Sequence, residues 1–96
     1  MLTLILILVA LLELGPGSKS SGAIELALAR ALSASGRGRQ IRLDARLTLE
    51  DVALSVGADP ATVLRWETGT VRPRRDGAVR WARLMADLAR ALEEAA

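Results

Sequence analysis

Residues 47–73 read LTLEDVALSVGADPATVLRWETGTVRP, and this stretch decides the fold. Thr48, followed three residues later by Asp51, comes close to a capping box, and Leu49, Val52, Ala53 and Val56 share one face of a two-turn helix. Gly57 falls where that helix needs a left-handed terminal residue. Asp59-Pro60 then supplies an N-cap and a first-turn proline for a second helix, Pro60 to about Thr68, with Val63 and Trp66 turned inward and Gly69 as its stop. Helices joined by so short a turn cross steeply, which requires a small residue at the contact, and Ala53 provides it. The outer face of the second helix presents Ala61, Thr62, Arg65 and Thr68, small or hydrogen-bonding side chains that let a helix enter a groove about 12 Å wide.

Outward from this stretch, Gly36 to Arg46 reads as a short Arg-rich helix. Before it, Ser18 to Gly22 reads as a linker, followed by an amphipathic helix whose apolar positions are Ile24, Leu28, Ala31 and Leu32. After it, Asp76 can cap a long last helix with a buried stripe of Trp81, Leu84, Met85, Leu88 and Leu92. Residues 1–14 are apolar except Thr3 and Glu13, and residues 15–18 break any regular element. As a helix this head is about 21 Å long, short of the roughly 30 Å needed to span a bilayer. It also lacks the leading basic residues of a signal peptide, so a membrane partner is not expected and a cytoplasmic location is. A buried helix or strand, a contact between protomers, or a start codon placed too far upstream all remain open for it.

The 96 residues have room for one small core, and 51% apolar with 25% charged content suits a globular chain. Leu and Ala dominate, with Trp66 and Trp81 the only aromatics, both on apolar stripes. The expectation is therefore an all-α, compact bundle of about five helices containing a helix-turn-helix, with an apolar N-terminal extension. Residues 1–35 form the extension and its helix, a possible dimerisation element, and residues 36–96 the helix-turn-helix domain with a long C-terminal helix. No Cys or His is present, which removes thiolate nucleophiles, the usual zinc ligands and the commonest general base. No enzyme activity, cofactor or metal is expected. The net charge is only +2, yet residues 36–83 hold ten arginines against six acids, while residues 1–35 are neutral and the last thirteen are acidic. A basic centre of this kind points to one charged working face, although an ordinary solvated surface and a GC-rich coding sequence explain arginine equally well.

The 47–73 stretch resembles the phage repressor/Cro helix-turn-helix family. That family has a small residue at the place of Ala53, Gly at Gly57, a β-branched residue at Val63 and a W-E-x-G stretch at Trp66, Glu67 and Gly69, with a basic residue and Pro following. The preceding RQIRLDARLT is similar to the family's first helix, which makes Arg42 the implied partner of Glu67 in an ion pair beneath the DNA-facing surface. Gly38 departs from the pattern, standing where an apolar residue is usual, as does Arg46 in place of a frequent Gly. Pro60 opens the recognition helix and removes one side chain that many relatives aim at a base.

The expected function is sequence-specific double-stranded DNA binding by a transcriptional regulator, a repressor, with the 60–68 helix in the major groove. Arg65 is placed to grip guanine, and Ala61 and Thr62 to meet base edges. Arg39, Thr48, Thr68, Arg72 and Arg74 are candidates for phosphate. One such helix covers few base pairs, so a homodimer on two half-sites is expected. A second reading is a protein-interaction module, such as an antitoxin-like or repressor-accessory subunit, cued by the apolar content outside the motif.

Overall fold

Five helices make up the described part of the chain, residues 21–74 and 77–96 of a computed structural model: α1 (Ser21–Ser35), α2 (Arg37–Asp44), α3 (Leu49–Val56), α4 (Pro60–Thr68) and α5 (Gly77–Ala95). There is no strand among the described residues, so the all-α bundle expected from composition is the fold. The apolar head, the break at 15–18, Arg75 and the Asp76 cap lie outside the described residues. No described helix is long and apolar enough to cross a membrane.

The helix-turn-helix boundaries follow from local chemistry. The Thr48 hydroxyl accepts from the Asp51 amide at 3.0 Å, and the Thr48 amide donates to Asp51 Oδ2 at 2.9 Å, a complete reciprocal box that starts α3. Hydrogen bonding to the Asp51 carboxyl from the Thr48 amide first, and from the Thr48 side chain second, holds it below the usual carboxylate range. Three successive helices then end in the same way. The amides of Leu47, Ala58 and Thr70 donate to the carbonyls five residues back, Arg42, Ala53 and Arg65, closing α2, α3 and α4. Each closure needs one left-handed residue, supplied by Gly57 (φ 68°), Gly69 (φ 72°) and Arg46 (φ 58°). Arg46 thus occupies a glycine's conformation at a steric cost of about 1–2 kcal/mol. The short Arg-rich helix accordingly stops at Asp44, two residues before the expected limit, because Ala45 and Arg46 form the turn.

The core combines two tryptophans with many alanines. Trp66 and Trp81 lie 5.4 Å apart, tilted by 34°, and Ala78, Ala82 and Ala86 bring α5 close to its neighbours. These alanines, with Trp81 and Met85, form the buried face of α5, while Leu84, Leu88 and Leu92 of the expected stripe sit half-buried at its edge. The face of α1 is likewise rotated from expectation. Glu25, Leu28, Ala29, Leu32 and Ser33 point inward, whereas Ile24 and Ala31 are exposed, and Ser21 and Gly22 belong to the helix rather than to a linker. The reason is an ion pair: Arg83 of α5 binds the buried Glu25 carboxylate through Nε to Oε2 and through Nη2 to Oε1 at 2.9 Å. Leu28, Ala29 and Leu32 join the same core as α2–α5, so the division expected at residue 35 cuts through one hydrophobic cluster rather than between two units.

Gly38 is buried because Trp81 occupies the volume where an apolar side chain was expected. A Cβ there would lie 2.5 Å from Trp81 Cζ2, a rigid and fully buried ring edge. Gly38→Ala is therefore expected to lower unfolding free energy by about 1–3 kcal/mol in urea titration, and an unchanged midpoint would show that the ring can move aside. Arg46→Gly should act in the opposite sense, adding about 0.5–1 kcal/mol after the extra entropy of an unfolded glycine is counted. A fall in its midpoint at constant slope would contradict the strained turn.

Candidate nucleic-acid interface

Helix α4 has an inward and an outward side fixed by its 100° step per residue. Val63, Trp66 and Glu67 are buried, and Ala61, Leu64, Arg65 and Thr68 form the exposed stripe. Thr62 is half-buried at the edge of that stripe. The sequence leads to an outer face of small or hydrogen-bonding residues that includes Thr62, but Thr62 sits at its edge and the large apolar Leu64, three residues from Ala61 and four from Thr68, stands on it, a feature that counts against groove entry. That spacing alone was enough to find it.

The buried side is held by a bidentate pair. Arg42 Nε donates to Glu67 Oε2 at 2.6 Å and Nη2 donates to Oε1 at 3.0 Å, with both side chains shielded from water. Arg42 Nη1 also donates to the Leu47 carbonyl at 3.0 Å, so one guanidinium ties α2, the following turn and α4 together. The hydrogen bond and charge of Glu67 raise the Arg42 pKa despite the opposing cost of burial. Below α4, Trp66 rests against Trp81 and the start of α5, where a Cβ on Gly77 would lie 3.1 Å from the ring. Beyond α4, Gly69 passes close to the Ser33 carbonyl of α1, and Pro73 is buried with its carbonyl accepting from Arg30 Nε at 3.3 Å. This anchor leaves Arg72 and Arg74 exposed on either side of Pro73.

The arginines of the basic centre divide by what they touch. Arg42 and Arg83 pair with glutamates, and Arg80 Nε donates to the Val56 carbonyl at 2.8 Å, holding the end of α3. Arg39, Arg65, Arg72 and Arg74 are exposed and make no ion pair with a described residue. The threonines differ too. The Thr68 hydroxyl donates to the Leu64 carbonyl at 3.0 Å and lies 2.8 Å from Thr70 Oγ1, where either hydroxyl can be the donor. Thr48 uses its oxygen as a cap acceptor, and its side chain also hydrogen-bonds the Asp51 carboxyl. Acids cluster at the opposite end of the motif, with Glu50 and Asp51 opening α3 and Asp59 preceding α4. Asp59 sits at the N-cap position without the side-chain bond expected of it. Positive charge therefore concentrates at the C-terminal half of α4 and the loop after it.

Elsewhere, an open cleft of about 240 Å³ lies between α2 and the end of α5, lined by Ile41, Leu92 and Ala89 with Arg37 and Glu93 at its margin. No group of three or more acidic residues could hold a metal ion among the described residues. Compared with protein-family models, with curated proteins and with solved structures, the chain matches none.

Removing one member of the Arg42–Glu67 pair strands the other charge in the core. Arg42→Met or Glu67→Met is expected to cost about 3–5 kcal/mol, and the double variant well under the sum of the two. Strictly additive losses in chemical denaturation would show that the two side chains are not coupled.

Proposed function

We propose that this chain is a sequence-specific double-stranded DNA-binding regulator of transcription, acting as a repressor and placing α4 in the major groove. The observation that carries this reading is the exposed stripe of α4, with an unpartnered Arg65 at its centre, on a helix whose opposite side is locked by Arg42 and Trp81. An α-helix with its side chains is about 10–12 Å across, which matches the groove. The resemblance of residues 47–73 to the phage repressor/Cro family supports the same docking.

In this mode Arg65 donates its planar fork to guanine O6 and N7, and Ala61 and Thr62 lie against neighbouring base edges. Arg72 and Arg74 take phosphates on the side where Pro73 anchors the loop, and Arg39 and Thr48 supply contacts from α2 and the start of α3. Thr68, at the C-terminal end of α4, supplies a further phosphate contact when its hydroxyl rotates away from the Leu64 carbonyl. Two copies on a pseudo-palindrome, with half-sites about 34 Å apart, give the site length that a single nine-residue helix lacks.

A protein-interaction module is the second reading, favoured by Leu54, which stands 87% exposed on α3. Titration of duplex DNA at two salt concentrations separates the two, because phosphate contacts impose a steep fall in affinity with salt. On a selected site, Arg65→Ala should cost about 1–3 kcal/mol and relax preference at one or two base pairs, whereas Arg72→Ala should weaken all sequences alike and reduce the salt slope by about one. Salt-independent behaviour of the parent chain would rule out the DNA reading.

A further inference from the structure

The exposed stripe of α4 contains one large apolar side chain, Leu64, 44% accessible between Ala61 and Thr68 and next to Arg65 in the chain. Single exposed leucines are ordinary on protein surfaces, so the position of Leu64 matters here only because it lies on the helix side proposed to face the base edges. A lone leucine bordered by Ala61, Arg65 and Thr68 offers too little continuous apolar area for a protein interface. In the major groove, the one apolar group that a base pair displays is the C5-methyl of thymine.

We propose that Leu64 selects a thymine by covering that methyl, within one or two base pairs of the guanine bound by Arg65. The inference rests on the DNA-binding reading and adds to it a part of the sequence that is read. The spacing follows from geometry. Leu64 and Arg65 are consecutive, about 1.5 Å apart along the helix axis, less than the roughly 3.4 Å between base pairs along a strand, so the two side chains reach the same or neighbouring base pairs. Of the two exposed leucines in residues 47–73, Leu54 stands on α3, whereas Leu64 is on the helix proposed to enter the groove, next to the unpaired Arg65.

The test begins with selection of bound duplexes from random synthetic DNA, in which thymine carries the only C5-methyl, using the full chain. Each thymine of the selected site is then replaced in turn by deoxyuridine, which removes the methyl and leaves the hydrogen-bonding edge intact. The parent chain should lose about fourfold in affinity at one position, the effect of one buried methyl, and that position should lie within two base pairs of the guanine whose preference Arg65→Ala relaxes. Leu64→Ala and Leu64→Gln should bind the thymine and uracil duplexes equally while unfolding at the parent temperature. If no thymine responds, or if the same thymine still responds in both variants, Leu64 does not read it and the inference is overturned while the DNA-binding reading stands. If selection enriches no duplex at low salt, that reading fails and this inference with it.

Discussion

The structure of the central motif depends on a single buried guanidinium. Arg42 reaches from α2 to both oxygens of Glu67 and to the carbonyl of Leu47, so the first helix of the motif, its following turn and the back of α4 share one anchor. A fork with two parallel hydrogen bonds fixes orientation as well as distance. The rotation of α4 about its axis is thereby set, and with it which residues face outward. The pair also neutralises an acid that would otherwise lie beneath the exposed Arg65 and weaken the local field.

Around that anchor, size exchange holds the helices together. Two indole rings fill the centre, and the residues that meet them are as small as side chains can be: Gly38 against Trp81, Gly77 against Trp66, and the alanines of α5. Close packing of this kind leaves little room for adjustment, since interiors are as dense as organic crystals. It also explains the glycine at position 38 in the first turn of α2, because the contact it allows outweighs the backbone entropy it loses.

The parts of this architecture that were legible in the sequence are those that local chemistry writes into adjacent letters. The limits of α3 and α4 follow from Thr48, Gly57, Pro60 and Gly69, and their inward faces from Val52, Val56, Val63 and Trp66. The inward face of α1 was hidden because a buried Glu25 breaks the apolar period, and its partner Arg83 is 58 residues away. The face of α5 was misjudged toward leucines because alanine, the residue that permits the closest approach, carries little hydrophobic signal of its own. At the candidate interface, Arg65 was legible and Leu64 was missed where a count of helical steps would have found it. The roles of Arg30 and Arg80 were not legible, because the backbone carbonyls they bind have no letter in a sequence.

The pairing of α1 with α5 also has a bearing on the order in which the protein assembles. Helices α2 and α3 each meet α4 over short separations, so these contacts form quickly, whereas Glu25 and Arg83 must close a loop of most of the described chain. On the ribosome, α2 and α4 cover part of α1, but its most extensive packing is on α5, the last helix described, so Leu28, Ala29 and Leu32 gain their full cover only when those nineteen residues have been made. Until then the partly covered apolar strip leaves a window in which holdase chaperones or a neighbouring nascent chain can compete for the place that α5 finally takes.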